Sequence, residues 1–392
     1  DAALLERARA ELREHGGYWA PAQRDPSELS RLEGAWASFV FQFADLDEAL
    51  FASPGVRGLG QRLAQAQGEV DEALRGPGAA ALRGPSLVHG DLRPNHIFFA
   101  AAEGSTCEAA AAAGAEDTAG RDSEEEEAAF IGFRWAGVGF GVQDVAHLLL
   151  TSAELALLQD GTALRWLLVT GYLEPLRQRV GPELAPEPGE FFRTFRLACL
   201  DYAKVAFGHH LAGYDPLRVR AGHSNLRRPT HNRSLDHTLG LVRFVDRLLR
   251  GEEVPGFGAG GAAVRLVPAV VVAGAVGPDA GFVNGTYYLE GDCLDLEGEP
   301  PVFRRGRGEA DESWLYLAEN GTWCVSSAEN KEARAASGWA HSSPVPRGCS
   351  PCGATSWQIT CDDDWQVQDL RVAARLLERG QPRDGGEEPS GS

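Results

Sequence analysis

Methionine is absent from the 392 residues, and lysine occurs only as Lys204 and Lys331. Lysine and arginine together number 37 against 56 aspartates and glutamates, which gives a formal net charge of −19. Nucleic acids and anionic membranes are bound mainly through clustered cationic side chains. The charge balance therefore predicts no nucleic acid and no membrane among the partners. Because the chain starts at Asp1 and contains no methionine, we expect it to be a piece of a longer product.

Long apolar runs and a disulfide framework are also missing. The longest uncharged apolar run, residues 266–276, has 11 residues and contains Pro268, whereas a membrane-spanning helix needs about 20. The N-terminus lacks the apolar core of a secretory signal, so we expect a cytoplasmic protein. The seven cysteines are an odd number in a long chain, which favours reduced thiols. Cys349-Ser-Pro-Cys352 has the spacing of half a zinc site but lacks a second pair.

Helical spacing of apolar residues dominates the first 76 residues. A capping-box pattern at 25–28 precedes a helix, and Gly76 ends a later one. The apolar residues that keep the helical period in these two segments are Leu29, Leu32, Trp36, Phe39 and Phe43, then Leu59, Leu63, Ala66, Val70 and Leu74. Further helices are predicted around 143–158, 163–179, 190–207 and 234–250.

Shorter apolar runs predict strands between these helical segments. Residues 86–88 and 97–99 flank the polar segment 89–96, which predicts two strands joined by a loop. Residues 100–129 are rich in alanine and glutamate, so we expect a solvated surface insert there. A further short strand is expected at 130–135.

The composition changes after a glycine-rich stretch that begins at Gly251. Residues 282–372 contain five of the nine tryptophans and two Asn-Gly-Thr triplets, at Asn284 and Asn320. Asn-Gly between strand-forming residues is typical of β-hairpins, so the segment predicts a small antiparallel β domain. The fold class is therefore α+β. The predicted divisions are a mainly helical domain at 1–250, a linker at 251–278, the β domain at 279–375 and a disordered tail at 376–392.

The polar loop at 89–96 is the segment best suited to chemistry. A carboxylate held between two strands can accept the proton of a hydroxyl that attacks phosphorus, and Asp91 has that position. The alternative is that Asp91 only caps a turn. The residues alone leave both interpretations open.

Three stretches of the chain resemble parts of a known superfamily. Residues 87–99 (LVHGDLRPNHIFF) are similar to the catalytic loop of the aminoglycoside-phosphotransferase and choline/ecdysteroid-kinase-like superfamily, which shares the protein-kinase fold. Residues 131–135 (IGFRW) and 143–149 (QDVAHLL) are similar to its metal-binding strand and the helix that follows. The resemblance covers about 15–250 and implies a kinase-like C-lobe. It implies that Asp91 is the catalytic base and that Asp144 braces the loop through hydrogen bonds.

The resemblance also implies ATP and Mg²⁺ as cofactors, but three features depart from the superfamily pattern. Gly132 stands where the first metal ligand, an Asp, is expected. His96 stands where the second ligand, an Asn, is expected, and Asn95 lies one residue early. Neither a glycine-rich nucleotide loop nor a lysine precedes His89. Asp91 is thus the expected catalytic residue, with Asn95 and His96 as the remaining candidate metal ligands.

Two classes of function follow from these observations. The first is ATP-dependent phosphoryl transfer to a small-molecule hydroxyl, weak or absent in the chain as it stands. The second is a non-catalytic pseudokinase lobe whose β domain binds a protein or glycan partner. His209 and His210 with Asp215 present a weaker possibility of a metal site, against which the end of a surface helix is favoured.

Overall fold

The computed structural model describes residues 2–77, 79, 85–99, 128–225, 227–257, 266–291, 300–305, 312–346, 348–361 and 364–378. Residues 100–127 of the expected insert, residues 379–392 of the expected tail, Cys107 and Cys293 lie outside them. Within the described residues the protein is α+β, with helices in the first part and an antiparallel sheet in the last, which confirms the predicted fold class at that level.

The helices of the described part lie mainly before residue 250. They are α1 (Ala2–Glu11), α2 (Ser27–Phe43), α3 (Glu48–Ala52), α4 (Pro54–Arg57), α5 (Leu59–Arg75), α6 (Gly141–Ser152), α7 (Leu155–Gln159), α8 (Gly161–Leu168), α9 (Glu174–Val180), α10 (Pro188–Val205), α11 (Pro216–Ala221), α12 (Leu235–Leu249), α13 (Ala280–Val283) and α14 (Ala328–Glu332). A π-helical turn follows α8 at Val169–Leu173, and another follows α10 at Ala206–His210.

The strands are shorter and more evenly spread. They are β1 (Pro85–Val88), β2 (Ile97–Phe99), β3 (Ala128–Phe130), β4 (Gly137–Phe140), β5 (Leu266–Ala273), β6 (Gly285–Leu289), β7 (Phe303–Arg305), β8 (Ser313–Leu317), β9 (Trp323–Ser326), β10 (Ala340–His341), β11 (Trp357–Cys361), β12 (Asp364–Gln368) and β13 (Arg371–Glu378). Within the described ranges β5–β13 make one nine-stranded antiparallel sheet, in the order β12-β11-β10-β9-β8-β7-β6-β5-β13.

The chain divides into two units. The first comprises the described residues of Asp1–Ala80, Pro85–Ala153 and Leu197–Thr238, and the second those of Ala81–Gly84, Glu154–Arg196 and Leu239–Ser392. The boundary predicted at 250 therefore differs from the observed division, in which 154–196 group with the sheet. Hydrophobic periodicity shows that a helix has a buried face, but it does not show which layer that face contacts.

Stacked aromatic rings form the core of the first unit around α2. The ring of Phe39 lies 4.2 Å from that of Phe43 and 5.1 Å from that of Trp36 between centroids, and Phe207 packs edge-on against Trp36. All four residues are at most 2 % exposed. The helical period predicted for α2 is thus confirmed for this face, whereas Leu29 is 41 % exposed because it lies at the edge of the buried stripe.

The second unit buries one face of the sheet against helix α8. Trp166 of α8 packs with Phe303, and Trp323 lies at the centre of the same cluster with no exposed surface. The predicted hairpin at Asn320 is confirmed, because Leu317 of β8 pairs with Trp323 of β9 across Gly321, whose φ is +82°.

One strand lies where a linker was expected. Residues Leu266–Ala273 form β5, which pairs with both β6 and β13. Pro268 lacks a backbone N–H donor, and a proline normally argues against an inner strand. The ladder with β6 begins only at Ala269, so Pro268 needs to donate no bond on that side. The sheet also extends to Glu378, three residues beyond the predicted β domain.

Membrane insertion of a helix finds no support in the described ranges. None of their helices combines the length and the apolarity that crossing a bilayer requires.

We expect Trp323→Ala to lower the free energy of unfolding of the second unit by about 3–5 kcal/mol, the usual loss when a buried tryptophan is truncated. The side chain is fully buried, and its Nε1–H donates to the Cys349 carbonyl at 3.2 Å. Urea denaturation followed by circular dichroism measures the change. Trp365→Ala is the matched control, because Trp365 is 39 % exposed. Equal losses for the two variants would contradict the assignment of Trp323 to the core.

Candidate functional site

The loop at 89–96 connects two strands that pair with different partners. β1 pairs with β4 and β2 pairs with β3, each antiparallel. The expected pair of strands around the loop is present, but each contacts a strand from downstream in the chain. This pairing brings residues 131–136 alongside the loop, and the Ile131 amide donates to the His96 carbonyl at 3.0 Å.

Asp144 holds the start of the loop. Its two carboxylate oxygens accept from the backbone amides of His89 and Gly90 at 2.6 and 2.9 Å. Burial raises the pKa of Asp144, and these two hydrogen bonds oppose that rise. The bracing that the superfamily resemblance implies for Asp144 is therefore present in the structure.

Gly90 permits this close packing of the loop. Its φ is +76°, a left-handed conformation that L-residues with a side chain adopt rarely. A Cβ atom at this position would lie 2.2 Å from the Trp135 carbonyl oxygen and 2.5 Å from the Gly17 nitrogen. A glycine is therefore required directly before Asp91.

Asp91 lies in a largely buried position, and its two carboxylate oxygens have different surroundings. Oδ2 accepts from Arg93 Nη2 at 2.7 Å. Oδ1 is buried and accepts no hydrogen bond from any described residue; the imidazole Nε2 of His147 lies 4.0 Å away. The Asp91 backbone carbonyl accepts from His96 Nδ1 at 2.8 Å, which fixes the middle of the loop. An unpartnered buried carboxylate oxygen is uncommon and is typical of functional sites.

The two expected metal positions are adjacent but carry no carboxylate. An ideal Cβ at Gly132 would lie 3.2 Å from three atoms of the His96 imidazole, so the His96 ring covers the space a side chain there would enter. The φ of Gly132 is +84°, and Asn95 is exposed. Mg²⁺ requires hard oxygen ligands in octahedral geometry, and imidazole is a poor substitute. The residues at these positions do not fit a Mg²⁺ ion.

Other expected metal candidates also fail to assemble. Across the described ranges, no three Asp, Glu, His or Cys side chains lie together as ligands for a metal ion. Asp215 caps α11 by accepting from the Arg218 amide at 2.7 Å. In the second unit, burial and the nearby Glu174 raise the pKa values of Cys349 and Cys352 to about 12. This environment therefore disfavours the thiolate form of both side chains.

A cluster of imidazole and aromatic rings lies next to Asp91 in the first unit. His147 Nδ1 donates to the Leu92 carbonyl at 3.1 Å, and the Tyr18 hydroxyl lies 3.4 Å from His147 Nε2. Trp19 stacks on the His147 ring at 4.7 Å between centroids. The same Tyr18 hydroxyl lies 3.5 Å from His210 Nε2. His210, expected at a surface helix end, is thus part of this internal cluster.

Burial keeps the histidines of this cluster neutral. It lowers the pKa values of His147 and His210 well below 6.5, and nearby cations and imidazoles lower them further. His231, stacked on His210, has its pKa lowered by burial to about 4. Sequence reasoning missed the contacts that Tyr18 and His147 make with the loop. It also missed the hydrogen bond within the loop from Arg93 to Asp91. The only signal available was the position of His147 one helical turn after Asp144.

Exposed apolar side chains lie beside the loop on β2, on β3 and in the turn that follows β3. They are between 45 and 64 % exposed and are Phe98, Phe99, Phe130, Ile131 and Phe133. The pairing of β2 with β3 places Phe98 on the opposite face from Phe99 and Phe130, so they do not form a single surface.

Comparison of the chain with protein-family models, with curated proteins and with solved structures finds no match. The resemblance to the phosphotransferase superfamily therefore stays a prediction that rests on the residues quoted above and on the geometry of the loop.

We expect the first unit to lose stability as the pH falls from 6.5 toward 4. His231 titrates at about 4 when folded and near 6.5 when unfolded, so the unfolded state binds more protons in this window. This single group removes roughly 3 kcal/mol by the lower limit. Chemical denaturation at a series of pH values measures the slope.

In that series His231→Phe makes the pH slope shallower, because it removes the titrating group and keeps a ring of similar size. His223→Phe is the control, since His223 is exposed. A slope that is the same in His231→Phe and in the natural protein would contradict the prediction.

Proposed function

We propose that this protein is a phosphotransferase-like domain of the aminoglycoside-phosphotransferase and choline-kinase-like superfamily in which phosphoryl transfer is weak or absent. The observation that carries the proposal is the braced loop. Asp144 binds two successive loop amides, and Asp91 follows directly, as the superfamily pattern requires. This supports a common loop architecture and leaves the kinase-like C-lobe as the proposed identity of the first unit.

The expected loss of activity follows from the metal positions. Neither Gly132 nor the ring of His96 offers an oxygen ligand. The His96 ring also fills the space that a side chain at position 132 would enter. Phosphoryl transfer depends on metal ions that neutralise the charge of the transferred group. A loop of the right shape without oxygen ligands at positions 96 and 132 therefore favours a domain that binds a small molecule or a partner without turning ATP over efficiently.

A second candidate function, active phosphoryl transfer to a small-molecule hydroxyl, is favoured by the state of Asp91. Its Oδ1 accepts no hydrogen bond from any residue described, and Arg93 orients the other oxygen. A general base needs an oriented carboxylate with an unused lone pair. In this case Asp91 would accept the hydroxyl proton as the oxygen attacks phosphorus.

The tryptophans of the second unit differ in their availability to a partner. Trp323 and Trp357 belong to the core of the sheet, whereas Trp365 is partly exposed on β12. The protein or glycan partner expected for the β domain would therefore contact residues other than the buried tryptophans.

We expect the natural protein to transfer phosphate from ATP to a panel of small alcohols and aminoglycosides at rates near the uncatalysed background. Any transfer above that background is lost in Asp91→Asn, because the variant removes a general base and keeps the size of the side chain. Radiolabelled phosphate transfer measures both rates.

Asp236→Asn is the matched control, since Asp236 is exposed on α12. Two results would overturn parts of the proposal. Turnover by the natural protein at about 1–100 per second, the usual range of kinases, would contradict weak or absent activity. Residual transfer that is unchanged in Asp91→Asn would contradict the role of Asp91.

We expect the double variant Gly132→Asp, His96→Asn to raise Mg²⁺-dependent ATP affinity at least about tenfold, because it restores two oxygen ligands. Asp tolerates a left-handed backbone better than most residues, and removal of the His96 ring clears the space. Calorimetric titration with Mg²⁺ or with chelator measures the difference. Gly181→Asp is the control, since Gly181 has φ +85° and open space around its Cα. No gain in affinity would contradict the assignment of residues 96 and 132 to the metal positions.

A further inference from the structure

A cleft of about 260 Å³ lies within the first unit, between α2, α5 and the end of α10. Its apolar wall includes Leu29, Leu32 and Val205, and its polar wall includes Gln67 and Lys204. None of the residues 89–96 lines it. The cleft is therefore a candidate binding site separate from the Asp91 loop.

Gln67 occupies a position that packing alone would give to an apolar residue. It lies on the buried face of α5 between Leu63 and Val70 and is 1 % exposed. Its Nε2 donates to the Leu63 carbonyl at 3.1 Å, but its Oε1 accepts no hydrogen bond from any described residue. An unsatisfied buried amide oxygen is costly and rare. A donor from a bound molecule would remove that cost.

Lys204 supplies unused donors on the wall of the same cleft. Its Nζ donates to Asp201 Oδ1 at 2.6 Å and lies 3.8 Å from Asp71 Oδ1. An ammonium can donate three hydrogen bonds, and this one makes a single one with the described residues. Asp71 follows Gln67 by one helical turn on the same face of α5. The residues that carry the free donors and the free acceptor thus line the same cleft.

The charges of the cleft exclude most ionic ligands. Two cations, Arg24 and Lys204, line it together with three carboxylates, Asp25, Glu28 and Asp71. Glu28 is occupied by Arg24 through two hydrogen bonds of 2.8 and 2.9 Å. The net negative charge opposes a carboxylate or phosphate ligand, and the Lys204 ammonium opposes a cation beside Gln67.

We propose that the cleft binds a neutral apolar alcohol whose hydroxyl accepts from Lys204 and donates to Gln67, with its apolar part against Leu29, Leu32 and Val205. A hydroxyl is the small neutral group that both accepts and donates at one oxygen. A cavity of about 150 Å³ holds benzene, so this cleft has room for about ten non-hydrogen atoms. The site lies outside the proposed phosphotransferase loop and does not depend on that function.

Four probes with a common phenylpropyl skeleton test the proposal on the full chain: phenylpropanol, propylbenzene, phenylpropylamine and phenylpropanoate. Calorimetric or NMR titration is expected to show phenylpropanol binding at one site with a dissociation constant of about 1 mM or lower. The other three bind at least about fivefold more weakly. Absence of saturable binding by the alcohol overturns the proposal. So does an amine or acid that binds as tightly as the alcohol.

Gln67→Leu tests the hydrogen bond itself. It removes the acceptor and keeps the volume, so affinity for phenylpropanol falls about 5–10-fold while propylbenzene binds no more weakly than before. Gln65→Leu, an exposed position on the same helix, is the matched control and leaves both affinities unchanged. Unchanged phenylpropanol affinity in Gln67→Leu overturns the proposal. The four-probe comparison on the natural protein decides the question independently if a variant fails to fold.

Discussion

The Asp144 carboxylate accepts hydrogen bonds from two successive backbone amides, those of His89 and Gly90, and the geometry of the candidate site depends on this interaction. The bonds join the start of α6 to the end of β1. They place Gly90 so close to the Trp135 carbonyl that no side chain fits there. The direction in which the chain leaves Gly90 then determines where Asp91 lies. The two backbone donors compensate part of the hydration that this buried carboxylate loses.

The shape of this loop and its capacity to bind a metal are physically separable. The backbone is held by Asp144 and by His96, whose Nδ1 contacts the Asp91 carbonyl. Neither contact needs a metal ion. Positions 96 and 132 can therefore carry residues without a ligand oxygen while the loop keeps its conformation. The hydrogen bonds to the backbone, and not metal ligands, determine that conformation. On the proposed function, this separation would let the loop keep its shape in a domain with little or no phosphotransferase activity.

Local patterns predicted the helices of the first unit well. The period of α2 and the end of α5 at Gly76 both agree with the structure, since short-range spacing and a terminal glycine act within a few residues. The same reasoning placed a linker over β5, because a glycine-rich stretch begins at Gly251 and the strand follows it. Only the pairing of that strand shows that the missing donor of Pro268 falls outside the ladder with β6. The spacing also put Leu29 on the buried stripe of α2, although it lines an open cleft.

By itself, the sequence determined the α+β composition, the strand–loop–strand segment around Asp91 and the absence of a carboxylate at Gly132, because these depend on residue identity and local spacing. The tertiary structure decided which distant side chains meet there. Tyr18 and His147 come together beside the loop, and Gln67 Oε1 is left without a donor among the described residues that surround it. These outcomes depend on how helices pack over long sequence separations, where burial rather than local spacing selects the neighbours.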